Sequence, residues 1–297
     1  MSPSAIEATS AFYATSPGLR LFRLSFTTVQ RLWPALAVQA AYRLFGTPLP
    51  PRWMARHRPW DAPWQIGTLP FEDASITLYT RTSAPDAPNA PVVLLVHGWG
   101  GHAGQMLALA EAVADLGLQP VIAEMPAHGR SRGAISNLPQ FARAIDYLGA
   151  RLQHQGQPVR ALVAHSLGAN AAAFSVSRGL PVERLVLLAP PASPRAFTHL
   201  FAAVFGLSER TRAAMQQRVE TREGVLMAQL EPAVVGPRIQ RPTLVVHDRE
   251  DRINAFADGL AYQQAIGGAQ LLATQGLGHR KLLKDPQVLD ALKDFLR

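Results

Sequence analysis

The chain has 297 residues, of which 48% are hydrophobic and 17% are charged, a composition typical of a globular protein rather than a disordered one. It contains no cysteine, which excludes disulfides, thiolate metal sites and a cysteine nucleophile. The net charge of +8 is not gathered into a basic stripe interleaved with aromatic residues, so we expect no nucleic-acid partner.

Residues 1–70 are predicted to form an N-terminal helical arm. From Pro17 to Trp64 the apolar residues recur with helical periodicity, with breaks at Pro34 and at the proline-rich run that begins at Pro48. Arginines at positions 20, 23, 31 and 43 interrupt the apolar stretch, whereas a membrane span needs about 20 nearly uninterrupted apolar residues. No charged region precedes an apolar run as in a signal peptide. The protein is therefore expected in the cytoplasm.

After Phe71 the pattern changes to short β-rich runs that alternate with helical segments. An early strand begins at Ala74, and the run of Val and Leu at Val92–Val96 is typical of a strand buried on both faces. Further strands are predicted at Pro120–Glu124, Val159–Ala164, Arg184–Ala189, Thr243–His247 and Ala269–Thr274. Such alternation predicts an α/β fold with a doubly wound, mostly parallel sheet and helices on both faces.

One interval breaks this alternation. Residues 191–241 have a helical composition without a convincing strand, which predicts a small helical cap inserted into the α/β core formed by residues 71–190 and 242–297. Within the cap, Phe197, Phe201 and Phe205 recur at the spacing of one helix face. This stripe either lines a pocket or seals the cap to the body.

A candidate nucleophile stands where the strand that begins at Val159 gives way to a helix. Ser166 lies between Ala164 and Gly168, and small residues at these two positions permit the sharp strand–turn–helix bend that exposes a serine hydroxyl. The same serine could simply cap the helix. Three other segments favour catalysis, because each follows a predicted strand: His97 to Gly101, His247 to Asp251, and Gly276 to His279.

These segments resemble the α/β-hydrolase superfamily from about Phe71 to Arg297, and in particular its bacterial serine esterases and lipases. The order Ser166, Asp251, His279 matches the serine–acid–histidine order of that family. Glu124 and Ala127 stand where a family loop usually has Asp and Gly, and Ala164 stands where the family usually has Gly. The resemblance implies a nucleophile at Ser166, a general base at His279 and an orienting acid at Asp251.

Two further roles and two alternatives accompany this assignment. The backbone N–H groups of Trp99 and Leu167 are the predicted oxyanion donors. Asp248 is the alternative acid, although the motif position favours Asp251. His247 and Asp248 could suggest a metal pair, but no third ligand recurs at a suitable spacing, and we expect neither a metal nor an organic cofactor.

The predicted reaction is hydrolysis of a small carboxylic ester, with an apolar acyl group, through an acyl-enzyme. A serine nucleophile disfavours the dehalogenase and epoxide-hydrolase branches of the family, which use aspartate there. Thioesterase, C–C bond hydrolase, perhydrolase and acyltransferase activities would use the same triad. A ligand-binding member with an idle triad is the alternative from another class.

The arm has too many apolar side chains to stay in water, so we expect a folded accessory rather than a disordered tail. Two destinations are considered. In the first, which we favour, the arm packs on the hydrolase body or closes over its active site. In the second, Arg20, Arg23, Arg31 and Arg43 meet anionic lipid headgroups while apolar residues enter the membrane interface.

Overall fold

The computed structural model describes residues 17–49, 60, 63–81 and 90–297. These residues divide into two compact units. One contains the sheet and spans Pro48–Ala192 and Pro232–Arg297, and the other joins Met1–Thr47 to Ser193–Glu231. The proline-rich run after Leu49 and residues 82–89, which follow the early strand, lie outside the described residues.

The first unit is built on an eight-stranded sheet in the order β1-β2-β4-β3-β5-β6-β7-β8. Only the β1–β2 and β2–β4 pairs are antiparallel, and all the other pairs are parallel. The strands are β1 (Trp64–Phe71), β2 (Ala74–Arg81), β3 (Val92–Val96), β4 (Gln119–Glu124), β5 (Val159–His165), β6 (Arg184–Leu188), β7 (Thr243–Asp248) and β8 (Gln270–Thr274). The predicted doubly wound, mostly parallel sheet is therefore confirmed.

The helices that the structure describes follow the predicted alternation. They are α1 (Pro17–Leu32), α2 (Pro34–Phe45), α3 (Leu107–Ala114), α4 (Leu138–His154), α5 (Leu167–Ser177), α6 (Pro194–Phe205), α7 (Glu209–Glu223), α8 (Pro232–Val235), α9 (Phe256–Ala265), α10 (Gly278–Lys281) and α11 (Pro286–Leu296). Short 3-10 segments cover Ala103–Met106, Met227–Leu230, Gly236–Arg238 and Leu282–Lys284. None of these helices is long and apolar enough to cross a bilayer.

The local sequence explains where the main elements begin. All five residues of β3 are buried, as expected for a parallel strand covered on both faces. The side chain of Asn137 accepts a hydrogen bond from the backbone N–H of Gln140 and so caps α4, and Asp285 caps α11 in the same way. The main core lies beside the sheet, where residues of β3, β5 and β6 pack against α3 and α11.

The predicted boundary of the arm at residue 70 is wrong. Trp64–Phe71 is the edge strand β1, paired with β2 along its whole length. Its residues are mostly exposed, so it lacks the buried alternation that identifies a strand. Pro70 also disfavours a strand in a prediction from the sequence, although a proline is tolerated in an edge strand.

The second unit joins the arm to Ser193–Glu231, so it contains most of the cap predicted at residues 191–241, whereas the residues from Pro232 onward belong to the unit with the sheet. Pro34 separates α1 from α2, as predicted, and residues of α1 and α2 contact α6 and α7. Phe22 packs edge-on against Phe205, and Phe45 packs against Phe201 in the same way. Phe201 and Phe205 of the phenylalanine stripe are therefore packed against the arm, a third role beside the two predicted ones of lining a pocket or sealing the cap to the body.

Candidate active site

Ser166 stands at the sharp turn between β5 and α5. Its backbone has φ 54° and ψ −127°, a conformation that non-glycine residues rarely adopt. The turn is held by hydrogen bonds, because the Ser166 N–H donates to the Leu188 carbonyl and the Ala169 N–H donates to the Ser166 carbonyl. Strained backbone that is stabilised by its surroundings is common at active sites, where a side chain must point toward the substrate.

The three residues predicted as a triad lie in one hydrogen-bonded chain. The Nε2 of His279 is 3.0 Å from the Oγ of Ser166, and its Nδ1 is 2.7 Å from an Oδ2 oxygen of Asp251. A carboxylate only accepts hydrogen bonds, so the Nδ1 of His279 carries the hydrogen and the Nε2 is free to accept the serine proton. This is the arrangement of a general base oriented by a carboxylate.

Asp251 is held as an anion by its surroundings. Its Oδ1 accepts hydrogen bonds from the backbone N–H groups of Ile253 and Asn254. Burial raises the pKa of the Asp251 carboxyl, but the nearby imidazoles of His247 and His279 outweigh that effect, and the pKa lies below its ordinary value. The group therefore stays charged wherever His279 could act as a base.

Asp248, the alternative acid, has a different task. It is fully buried, and its Oδ2 accepts hydrogen bonds from the Thr274 hydroxyl and the Leu277 backbone N–H. Its Oδ1 accepts from the Glu250 N–H. Asp248 thus ties β7 to the loop that carries His279, which identifies it as an anchor of that loop rather than as a partner of the imidazole.

The loop from His97 to Gly101 packs directly against the turn at Ser166. A Cβ atom added to Gly98 would lie 2.7 Å from the Cβ of Ser166, and one added to Gly168 would overlap the His97 carbonyl oxygen. Both glycines are therefore required for this close approach. Within the described residues, no hydrogen bond uses the backbone N–H of Trp99 or Leu167, so both predicted oxyanion donors are available to a ligand.

Two buried histidines fix this loop. The Nε2 of His128 accepts a hydrogen bond from the Gly100 N–H, and the Nε2 of His97 accepts one from the Met125 N–H. Because a ring nitrogen that accepts must lack a hydrogen, both rings are neutral and donate through Nδ1 to backbone carbonyls. Burial lowers the pKa of His97, and burial together with His97 lowers the pKa of His128 to about 3.

Because buried histidines are neutral in the folded chain, we expect the free energy of unfolding to fall in mild acid. Burial also lowers the pKa of His165, the residue before Ser166, to about 3. In the folded chain His128 and His165 thus both have a pKa of about 3, against about 6.5 when unfolded. Between about pH 3 and about pH 6.5 the unfolded chain binds more protons than the folded chain, so the free energy of unfolding decreases as the pH is lowered. The decrease is up to about 1.4 kcal/mol per histidine for each pH unit below about 6.5. Urea unfolding at about pH 7 and about pH 5 measures this change.

His128→Gln is the matched test of that prediction. A glutamine oxygen can still accept from the Gly100 N–H, but the side chain no longer titrates. The variant should lose less stability between the two pH values than the wild type does, by roughly the share of one histidine. An unchanged loss would contradict the assignment of a neutral, buried His128.

Three polar residues around the triad were not assigned roles in it from the sequence. Asn254 is fully buried, and its Nδ2 donates to the Ala189 carbonyl at 2.7 Å and lies 3.5 Å from the Ser166 Oγ. His165 donates from Nε2 to the His279 carbonyl at 2.9 Å. The Nε2 of His247 donates to the Asn254 carbonyl and lies 3.6 Å from Asp251. The only sequence signal was their position next to the motifs.

In the described part of the chain, no group of three His, Cys, Asp or Glu side chains could hold a metal ion. The two residues considered as a metal pair, His247 and Asp248, instead make the backbone hydrogen bonds described above. The groups that meet at the site are a serine hydroxyl, an imidazole, a carboxylate and backbone N–H groups.

Comparison with known proteins agrees with this fold. Residues 87–223 match a family model described as serine aminopeptidase, S33, whereas no curated protein matches the chain. Among solved structures, Est1E from Butyrivibrio proteoclasticus with bound ferulic acid is similar at 17% identity, with a TM-score of 0.61 over 77% of this chain and 97% of its own.

Two other structures have the same fold. The esterase Pf2001 from Pyrococcus furiosus is 15% identical, with a TM-score of 0.62 over 83% of this chain and 97% of its own. The thioesterase domain from the curacin biosynthetic pathway is 20% identical, with a TM-score of 0.54 over 78% of this chain and 98% of its own. With the sheet order and the serine turn described above, these comparisons show that the chain has the α/β-hydrolase fold.

Proposed function

We propose that the chain is a serine hydrolase that cleaves carboxylic esters through an acyl-enzyme on Ser166. The single observation that carries this proposal is the hydrogen-bonded chain from Ser166 through His279 to Asp251, with distances of 3.0 and 2.7 Å. A serine hydroxyl is a weak nucleophile until a base removes its proton, and this chain supplies the base and its orienting acid.

In the proposed mechanism the Oγ of Ser166 attacks the ester carbonyl while the Nε2 of His279 takes its proton. The negative charge of Asp251 stabilises the imidazolium that results. The N–H groups of Trp99 and Leu167 bind the oxyanion of the tetrahedral intermediate. His279 then protonates the leaving alcohol, and a water molecule, activated by the same imidazole, hydrolyses the acyl-enzyme to release the acid.

Two similar structures bear on the choice of substrate. Est1E is solved with ferulic acid, a carboxylic acid, as its bound ligand, which supports acids as products of an ester-cleaving site of this fold. The thioesterase domain from the curacin pathway makes thioester cleavage the second candidate. The same triad and oxyanion donors can act on an ester, which releases an alcohol, and on a thioester, which releases a thiol.

A fluorophosphonate probe tests for an active nucleophile, because labelling requires a serine whose proton is removed by a base. We expect the wild-type chain and the control Ser25→Ala, which changes an exposed serine of α1, to be labelled equally, and Ser166→Ala to remain unlabelled. Labelling of Ser166→Ala would contradict the nucleophile, and an unlabelled wild type would favour a ligand-binding protein.

The leaving group and the acyl length are tested with p-nitrophenyl esters of increasing acyl length and with the matched acyl thioesters. We expect turnover of the esters, fastest for an apolar acyl group. If kcat/KM for the thioesters exceeded that for the esters by about tenfold or more, a difference of about 1.4 kcal/mol in the barrier, the thioesterase alternative would replace our proposal.

A further inference from the structure

Helix α1 has two different faces, and one of them is packed. Phe26 is buried, and Phe22 contacts Phe205 of α6. The guanidinium of Arg23 donates to the carbonyls of Ala203 and Val204 at the end of α6. This face therefore explains why α1 is attached to the cap, and it removes Arg23 from the arginines predicted to meet lipid.

The opposite face of α1 carries large apolar side chains that are exposed. Leu21, Leu24 and Leu32 are 67%, 69% and 61% exposed, and their spacing places them on one side of a helix of 3.6 residues per turn. Trp33 and Leu36, at the bend into α2, are each 57% exposed. We call these five residues the exposed ridge.

The ridge is unusual for the surface of the described chain. Isolated exposed hydrophobic residues are normal on a protein surface, but five large ones within sixteen residues form a patch of the kind that marks an interaction site. With polar residues at these five positions, α1 and α2 could still form helices, and the opposite face of α1 could still pack on α6. The ridge therefore needs an explanation other than folding of the arm.

The charged residues of the segment that carries the ridge are all of one sign. Residues 17–49 contain four arginines and no aspartate or glutamate. Arg31 lies near Leu24 on the surface of α1, Arg43 lies two turns beyond Leu36 on the same side of α2, and both arginines are exposed. A leucine and tryptophan face bordered by arginines is the composition of a helix that lies in the interface of an anionic membrane.

We propose that the exposed ridge is a peripheral docking site for an anionic lipid surface. The leucines and Trp33 enter the interface between headgroups and acyl chains, and Arg31 and Arg43 contact lipid phosphates. Charge complementarity favours this occupant over a second copy of the chain, because a two-fold contact would set the arginines of one ridge against those of its partner. In this proposal one face of α1 packs on α6 of the cap, which is neither of the two predicted destinations, and the other face binds lipid.

Vesicle flotation of the full-length chain tests the proposal. Ser166→Ala is used as the background throughout so that hydrolysis cannot alter the vesicles, which makes the result independent of the proposed activity. We expect flotation with vesicles that contain about a third phosphatidylglycerol, little flotation with pure phosphatidylcholine, and a several-fold loss as salt is raised. Absence of binding to the anionic vesicles at low salt would overturn the proposal.

Three variants separate the contributions. The pair Leu24→Ser and Leu32→Ser should lower partitioning by about tenfold or more, because each removes a large apolar side chain from the interface. The pair Arg31→Gln and Arg43→Gln should lower it by severalfold and flatten its salt dependence. The control Arg151→Gln, which changes an exposed arginine of α4, should bind as the background does. Equal binding by all variants would overturn the proposal.

Two further readouts complete the test. Trp33 should shift its fluorescence to shorter wavelength on binding anionic vesicles, and Trp33→Phe should lose that part of the shift. Sedimentation of the lipid-free chain measures self-association. If the chain were a dimer that Leu24→Ser with Leu32→Ser converted to a monomer, the ridge would be a contact between copies and the lipid proposal would be wrong.

Discussion

Ser166→Ala is expected to abolish ester hydrolysis while the chain stays folded. In the proposed mechanism the substitution removes only the hydroxyl that His279 deprotonates, so the nucleophilic route would be lost and only the oxyanion donors and substrate binding would remain. Loss of a triad member in serine enzymes lowers kcat by about 10⁴–10⁶. The measurement is kcat on the best p-nitrophenyl ester, together with the urea midpoint of the purified variant. Retention of more than about one part in a hundred of wild-type kcat would show that another group is the nucleophile.

Ser166→Gly is the matched companion of that variant. It also lacks the hydroxyl, but glycine adopts the φ of 54° at this turn without steric cost, whereas strain at such a residue costs about 1–3 kcal/mol. Part of that gain is offset because glycine makes the unfolded chain more flexible. We expect both variants to be equally inactive and the glycine variant to be the more stable in urea.

The parallel part of the sheet could be predicted because each strand is a short, continuous apolar run bounded by turn residues. The predicted strands at Val92–Val96 and Val159–Ala164 match β3 and β5 to within one residue. Parallel strands buried on both faces leave this signature in the sequence. The carboxyl ends of these strands meet at one edge of the sheet, which is why residues far apart in the chain could be predicted to share a site.

The arm could not be placed from the sequence, because periodicity identifies an apolar face but not what covers it. The stripe of Phe201 and Phe205 was predicted as one helix face, and its partners Phe22 and Phe45 lie more than 150 residues earlier in the chain. Pairing of these faces is decided by shape and by hydrogen bonds such as that of Gln30 to the Gly206 carbonyl. Such tertiary contacts leave no local pattern.

The departures from the family pattern have structural consequences that the sequence did not show. Ala127 stands at a glycine position and has a φ of 66°, so this alanine adopts a conformation that favours glycine. Glu124, in place of aspartate, accepts hydrogen bonds from the Tyr79 hydroxyl and the backbone N–H groups of Ala103 and Arg130. The longer side chain thereby joins β2, the loop after β4 and the 3-10 segment that precedes α3.

Asp251→Asn is expected mainly to lower kcat, whereas Asp248→Asn is expected mainly to lower the stability of the fold. An asparagine at position 251 presents an NH₂ group or a weak acceptor to the Nδ1 of His279. The tautomer with its hydrogen on Nδ1 and a free Nε2 is then no longer favoured, and we expect kcat to fall by about 10⁴-fold. Asp248→Asn weakens the hydrogen bonds to Leu277 and Thr274, which we expect to lower the free energy of unfolding by about 1–3 kcal/mol and kcat of the folded enzyme by only about tenfold. Urea unfolding and kcat on one ester, measured for both variants, separate these effects. A loss of kcat at Asp248→Asn as large as that at Asp251→Asn, in protein shown to be folded, would transfer the orienting role to Asp248.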